Sequence, residues 1–399
     1  MSSTLRILLH DYSGHAFPVQ LSRELARRGH RVLHLHCPSY RTGKGALEPG
    51  PGDPPTLRID SVPLDREFEK YAPLKRLRQE LQYGRRLARR LAPFEPDVVL
   101  SGNTPLFAQA SFFEHCRRLG KPFVFWQQDI YSVAMQRILA GRVPLVGGVA
   151  GRAFIRLERR MLRGSAAVVT ISADFVPTLA RWGVPSERVH VIENWAPLDE
   201  LPDRPRDNTW AHEHGLVGRQ VLLYSGTLGL KHNPDLLLQL ARRLSGREEV
   251  RVVVISEGLG ADWLRERAGG LHNLVQLPFQ PYERLPDVLA SGDVLLVILE
   301  PDAGIYSVPS KVLSYHCARR ALLAAIPGEN LAARLLRASG GGVVVEPADA
   351  EGFAAAAAQL LDDGGRRAEM GTRARAYAEQ TFDIRLIGDR FESVLLSVA

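Results

Sequence analysis

Short apolar runs alternate with longer amphipathic stretches along nearly the whole chain. Residues 5–9 (LRILL), 31–37 (RVLHLHC), 96–102 (PDVVLSG), 122–126 (PFVFW) and 166–172 (AAVVTIS) read as buried strands. The first two enclose a helix from about Val19 to Arg28, closed by Gly29 as a carboxyl-terminal glycine signal. That is a βαβ unit, and it requires a parallel sheet. Helices are predicted at 105–119, 153–162 and 174–182, followed by a strand at 188–195. The stretch 196–208 (APLDELPDRPRDN) is rich in Pro and Asp and reads as an interdomain linker. The second half repeats the pattern. A strand in 220–229 runs into a glycine loop and helix 234–244. Strand 251–260 ends in a second glycine loop before helix 261–268. Strand 274–277 and helix 282–290 follow. The run 294–299 is a strand, after which an irregular loop carries Pro301, Gly304 and Pro309. Ser310 and Lys311 open the next helix, and 321–326 is again a strand. A last strand and loop lie in 341–349. Helices are expected at 350–362 and from 365 to the end, with a break near Phe382 and Asp383. Two consecutive doubly wound α/β halves are predicted, facing across a cleft that holds the active site.

Two segments stand apart from this rhythm. Residues 41–56 are rich in Gly and Pro and read as a surface loop. Residues 70–92 form a basic amphipathic helix whose leucine stripe is Leu74, Leu77, Leu81, Ala88 and Leu91. Eight Lys and Arg side chains occupy its other faces against one acid, Glu80. Such a helix either packs its stripe on a core or lies on an anionic membrane surface. Residues 137–151 (RILAGRVPLVGGVAG) are apolar and glycine-rich, suited to a mobile lid, a membrane-dipping loop or a loop packed on the sheet.

Composition narrows the options. With 399 residues the chain can form two domains, and 45% hydrophobic with 24% charged residues is a globular balance. Cys37, Cys116 and Cys317 are far apart, which indicates neither a disulfide framework nor a zinc site and fits a reducing cytosol. No stretch approaches the apolar length of a transmembrane helix. A cytoplasmic protein is expected, with peripheral attachment to the inner face of the cell membrane as an option. The net charge of +7 favours an anionic partner. The basic residues lack interleaved aromatic platforms, so nucleic acid is not expected.

The candidate chemistry sits at predicted strand ends. Ser310 and Lys311 suit a diphosphate, because free helical N–H groups and a lysine both face an anion; an ordinary helix start is the alternative. Gly226 and Gly229 lie just behind a strand, with Lys231 and His232 following, a spacing that can form an anion nest. Gly258 and Gly260 precede a helix, but Trp263 stands where a dinucleotide fingerprint needs its third glycine. Gln127, Gln128 and Asp129 follow the strand 122–126. Asp129 is placed either for chemistry or for capping the next turn.

Together these motifs resemble the GT-B glycosyltransferases of family four, and the resemblance covers nearly the whole chain. VVTISADF (168–175), GVPSERVHVIENW (183–195), LLYSGTLGLKHNPDLLLQLA (222–241) and PSKVLSYHCARRALLAAIPGENLAARLL (309–336) carry it. They look most like the subgroup that builds bacterial capsule, colanic-acid-like and O-antigen polysaccharides, which includes fucosamine transferases acting on lipid-linked sugars. The resemblance implies an acceptor-binding domain, 1–197, joined by a carboxyl-terminal helix, 383–399, that crosses back to it. It implies a nucleotide-sugar domain, 198–382. It also implies retaining, metal-independent hexosyl or N-acetylhexosaminyl transfer, with no cofactor, from a nucleotide-diphosphate sugar, UDP-sugar favoured. The acceptor would be lipid-linked or a saccharide.

The resemblance further implies roles for single residues. Gly226, Lys231, Ser310 and Lys311 would neutralise the diphosphate. Glu257 and Gly258 would sit beside the nucleotide or sugar, and Phe279 and Gln280 would flank the base. Gly14 would let backbone approach the phosphates, and Asp129 would contact the donor sugar or the acceptor hydroxyl. The chain departs from the family pattern at five positions. Tyr306 and Ser314 replace two glutamates, the second of which usually binds ribose. Thr227 replaces an arginine, His232 a lysine, and Arg319 a glycine that often follows this helix. Two competing readings are a nucleotide-sugar 2-epimerase of the same fold and a non-catalytic nucleotide-sugar-binding protein.

Overall fold

The computed structural model describes residues 4–40, 44–69, 72–133, 135–136, 144–229, 232–301 and 308–399. The chain divides into two compact units, 1–194 with 384–399 and 195–383. The division falls three residues before the position expected from the sequence.

The first unit is a seven-stranded parallel sheet in the order β3-β2-β1-β4-β5-β6-β7. Its strands are β1 (Arg6–Asp11), β2 (Arg31–His36), β3 (Leu57–Ser61), β4 (Val98–Gly102), β5 (Phe123–Gln127), β6 (Ala167–Thr170) and β7 (Val189–Val191). The helices are α1 (Ala16–Arg27), α2 (Pro73–Ala88), α3 (Leu91–Phe94), α4 (Leu106–Arg118), α5 (Pro144–Gly164) and α6 (Val176–Arg181). Leu8, Leu33, Val99, Phe123 and Val168 share one core with Tyr83, Leu87, Phe112 and Met161. The carboxyl-terminal helix, Ile384–Val398, belongs to this unit. Gly388 gives it a close approach to α1: a side chain there would meet Glu24 and Arg28 at 2.9 Å. Arg28 bonds Asp389 at 2.6 Å and Glu392 at 2.7 Å, and Phe391 packs edge-on against Trp126.

Three sequence expectations change here. The edge strand β3 went unread, because LRIDS is half-exposed and mixed in polarity. The stretch 137–151, read as a lid, a membrane-dipping loop or a loop packed on the sheet, is not a single loop: 144–151 begins the 21-residue α5, and 137–143 lie outside the described residues. The leucine stripe of α2 does not face the core. The buried residues are Glu80, Tyr83, Gly84 and Leu87, whereas Leu74 is 84% exposed. The cause is specific. Glu80 accepts from Arg76 Nε at 2.7 Å and from the free N–H of Phe107, at the start of α4, at 2.9 Å. A side chain at Gly84 would lie 2.6 Å from Ser111 Cβ, so α2 and α4 cross where only glycine fits. A buried carboxylate and a glycine contact, with Tyr83 and Leu87 in the core, set the rotation of the helix, not Leu74, Leu77 and Leu81.

The second unit is a six-stranded parallel sheet in the order β10-β9-β8-β11-β12-β13. Its strands are β8 (Gln220–Ser225), β9 (Val250–Ile255), β10 (Leu274–Leu277), β11 (Val294–Ile298), β12 (Ala321–Ala325) and β13 (Gly342–Val345). The helices are α7 (Thr209–Glu213), α8 (Pro234–Arg243), α9 (Leu259–Arg267), α10 (Leu285–Ala290), α11 (Lys311–Cys317), α12 (Leu331–Ser339), α13 (Ala350–Asp362) and α14 (Gly364–Thr381). Two apolar clusters sandwich the sheet, one through Leu222, Val252 and Leu296, the other through Leu223, Val253 and Leu295. The alternation is the signature of strands buried on both faces. The expected linker 196–208 is ordered on this unit. Arg206 bonds Asp293 at 3.3 Å, and Asn208 caps α7.

Arg319 has φ +54°. A left-handed residue with a side chain costs about 1–2 kcal/mol. Its ion pair with Asp203 is half-exposed and contributes little. Arg319→Gly is expected to raise unfolding free energy by about 0.5–1 kcal/mol, less than the full strain because glycine gains unfolded-chain entropy. A urea titration checks it; a lower midpoint would mean the ion pair dominates.

Candidate active site

In an open parallel sheet, ligands meet the carboxyl ends of strands where the strand order reverses. The second unit reverses between β8 and β11, and four strand-end loops gather on that side. At the end of β8, Gly226 has φ +134°, a conformation that disfavours any side chain. A Cβ there would also sit 3.0 Å from Lys311 Nζ and 3.2 Å from its Cε. Lys311, the first residue of α11, therefore lies directly across the Gly226 turn.

Two tyrosines hold it there. Tyr315, one helical turn after Lys311, receives the Ser225 N–H at 2.8 Å and donates to the Ser225 carbonyl at 3.1 Å. This pins α11 to the end of β8. Lys311 Nζ lies 3.5 Å from the ring centroid of Tyr224, a cation–π contact, and Tyr224 donates to the Thr227 carbonyl at 3.0 Å. Both tyrosines are buried, which raises their pKa values. They stay neutral and add no charge beside the lysine.

The neighbouring loops are knitted to the first. Leu228 donates its N–H to Ser256 Oγ at 3.0 Å, and its carbonyl accepts from Gly260 N–H at 3.0 Å. Gly258, at φ +103°, opens α9. Glu257 accepts from the Phe279 N–H at 3.4 Å, joining the β9 and β10 loops. Gln280 bonds Trp210 Nε1 and the Pro278 carbonyl, each at 3.0 Å, so its side chain supports the loop it stands in. Ser310 is exposed and Ser314 half-buried on α11. The structure thus brings Gly226, Thr227, Glu257, Gly258, Phe279, Gln280, Ser310, Lys311 and Ser314 to one end of one sheet. Lys231 and Tyr306 lie outside the described residues. Reasoning from sequence missed Tyr224, Ser256 and Tyr315; the four-residue spacing of Lys311 and Tyr315 was the available signal for the last.

The first unit reverses its order between β1 and β4. Asp11 is fully buried there and accepts from His15 N–H at 2.6 Å and from Asn103 Nδ2 at 2.7 Å. Burial raises its pKa. Gly14 (φ +72°) was expected to open toward phosphates, but it is covered by its own chain. Its carbonyl accepts from Gly45 N–H at 2.9 Å, and Leu47 occupies the space of a side chain at 2.8 Å. Lys44 Nζ bonds the carbonyls of Ser13 and Cys37 over the same turn. Asp129 is exposed just beyond β5. Beside it, Gln128 and Asn194 exchange side-chain hydrogen bonds at 2.5 and 3.4 Å. Glu158, buried on α5, accepts from the Ser132 N–H at 3.0 Å and so caps the turn that follows Asp129. Burial pushes Glu158 up to about 7. Asp11 and Asn103 were not anticipated, although both directly follow predicted strands.

Comparison with known proteins agrees with this arrangement. Residues 15–195 match the glycosyl transferase 4-like domain and residues 219–363 the glycosyl transferases group 1 domain. The putative colanic acid biosynthesis glycosyl transferase WcaI of Escherichia coli K12 is 27% identical over 297 residues, 73% of this chain and 71% of that protein. The D-inositol 3-phosphate glycosyltransferase of Xylanimonas cellulosilytica is 27% identical over 234 residues, 55% of this chain and 54% of its own length. Anabaena Alr3699/HepE, solved with UDP and glucose, superposes with a TM-score of 0.70 at 17% identity, covering 98% of this chain and 100% of that one. Sucrose-phosphate synthase from Thermosynechococcus elongatus gives 0.71 at 13% identity, with 97% of each chain covered. These last two likenesses speak to the fold.

Proposed function

Because the chain belongs to the family-four glycosyltransferases of GT-B fold, of the capsule and polysaccharide type, we propose that it is a retaining enzyme of bacterial surface polysaccharide synthesis. It moves a hexosyl or N-acetylhexosaminyl group from a nucleotide-diphosphate sugar, UDP-sugar favoured, to a lipid-linked or saccharide acceptor. The observation that carries the reading is Lys311 laid across the Gly226 turn at the strand-order reversal of the second unit. The UDP complexes of Alr3699/HepE and the name of WcaI support the choice of donor and pathway.

In this mechanism the donor's C1–O bond breaks and its electron pair stays on the leaving diphosphate. Lys311, Lys231 and the N–H groups of the β8 loop stabilise that charge, in the part a divalent cation takes elsewhere. The acceptor oxygen bonds to C1 on the face the diphosphate leaves, and its proton passes to a diphosphate oxygen. Ser310 hydrogen-bonds the phosphates. Glu257 and Gly258 lie against the sugar or nucleotide, Phe279 and Gln280 against the base, and Thr227, Tyr306 and Ser314 line the donor. Asp129 is the first unit's contact with the sugar or the acceptor hydroxyl.

Thermal unfolding with UDP-, GDP-, ADP- and dTDP-sugars tests the reading. A ligand at one hundred times its Kd stabilises the fold by about 2.7 kcal/mol. A UDP-sugar is expected to raise Tm most. No shift with any sugar nucleotide would overturn the proposal. Free epimer formed without acceptor would instead establish the 2-epimerase.

A further inference from the structure

The outward face of α2 is the strongest feature that the active-site chemistry does not use. Glu80 and Gly84 turn the helix so that Leu74, Leu77 and Leu81 point away from the core, with Leu74 84% exposed. Arg78, Arg85 and Arg89 share that face, and a shallow groove of about 540 Å³ runs among these side chains. Among the described residues, none of the three guanidinium groups has a hydrogen-bond or ion-pair partner. The stripe from Leu74 to Arg89 is about 22 Å long at 1.5 Å per residue.

We propose that this face of α2 docks flat on an anionic phospholipid membrane. Three properties select that occupant. The face is apolar and basic together, as an interfacial helix requires: leucines for the acyl boundary, guanidinium groups for lipid phosphates. It carries no carboxylate, because Glu80 is the only acid of α2 and is buried. The neighbouring α5 follows the same rule. Its only acid, Glu158, is 2% exposed, and Arg152, Arg156 and Arg163 are exposed. α5 shares a layer with α4, where Phe154 packs on Phe107, and α4 in turn packs on α2. The outward faces of α2 and α5 themselves carry no carboxylate, and the acids beside them are paired with basic side chains, Asp65 with Arg86, Glu69 with Lys75 and Glu114 with Arg160. No described helix is long and apolar enough to cross a membrane, so the contact is interfacial. The helix is already formed and locked by the Glu80 and Phe107 bond, so docking requires no folding of α2.

Vesicle flotation of the full chain tests this, with phosphatidylcholine alone and with one quarter phosphatidylglycerol. Binding is expected only to the anionic vesicles, weakening as salt rises. At about 1 kcal/mol per basic residue, R78Q/R85Q is expected to weaken binding about thirty-fold. L74S/L81S is expected to weaken it at least tenfold. All four side chains are exposed, and unchanged melting of both variants confirms the fold. Binding unaffected by either variant would overturn the proposal. So would equal binding to both vesicle types. A salt-insensitive dimer in sedimentation, dissolved by L74S/L81S, would assign the face to a second copy of the chain and also overturn it. Tm shifts with sugar nucleotides read the proposed donor site separately, so either proposal can fail without the other.

Discussion

Lys311→Ala should lower kcat with a sugar-nucleotide donor by about 10²–10³, the range observed when one preorganised stabiliser of developing charge is removed. The effect should be on kcat more than on KM, because charge on the leaving diphosphate peaks as the C1–O bond breaks. The geometry supports a dedicated role. Nζ sits 3.5 Å over the Tyr224 ring and about van der Waals distance from the Gly226 backbone, where a Cβ would come within 3.0 Å. Tyr315 keeps α11 fixed on β8 without Lys311, so the variant should fold. Circular dichroism and melting separate a folded, inactive variant from an unfolded one. Lys311→Arg keeps the charge but brings a planar group wider than the space over Gly226, so rescue should be partial. Full activity in Lys311→Ala would remove the leaving-group assignment.

Much of this site was legible because its signals are local. A buried strand, a glycine turn and a helix opened by Ser310 and Lys311 occur within short windows, and periodicity finds each of them. Which loops meet is set by strand order, and that is not local. β8 lies beside β11, some seventy residues later, and only this pairing places Gly226 under Lys311. For the same reason Asp11 and Asn103 escaped notice, since β1 and β4 are separated by two other strands in sequence. The rotation of α2 was left open, between a stripe packed on the core and one on a membrane, on different grounds. Leucines at helical spacing normally mark the core face. Here the buried face joins Tyr83 and Leu87 with one carboxylate that satisfies a helix amino terminus and one glycine that permits a close crossing. Neither feature adds to an apolar stripe. The domain count, the parallel sheets and the return of the last helix depended on none of these contacts and were correctly anticipated.

Stability of the first unit should depend steeply on pH below neutrality, through three histidines and one glutamate with opposite signs. Burial is the main cause that holds His10 at about 3, His36 at about 4 and His34 well below its usual value. Their surroundings explain this. His10 lies between Ser101 Oγ and Tyr83 OH, each at 2.9 Å, and His34 bonds Ser22 Oγ at 2.8 Å; no carboxylate bonds either ring. Each is neutral in the fold, whereas the unfolded chain takes up a proton near pH 6.5. Between those two values the unfolded state binds more protons, so stability falls as pH falls. From pH 7.5 to 5.5 each histidine lowers stability, by roughly 1 kcal/mol for one whose unfolded-state proton is taken up over that interval. Glu158 acts the other way. Burial raises it to about 7 in the fold, so the folded state takes up its proton first and gains about 2 kcal/mol over the same interval. Denaturant titrations at pH 7.5 and 5.5 resolve the two contributions. His34→Gln should shrink the loss between the two pH values, and Glu158→Gln should enlarge it by about 2 kcal/mol. Because each variant is compared with itself at two pH values, any constant packing cost cancels. A pH difference unchanged in both variants would mean that neither group titrates differently in the folded and unfolded states.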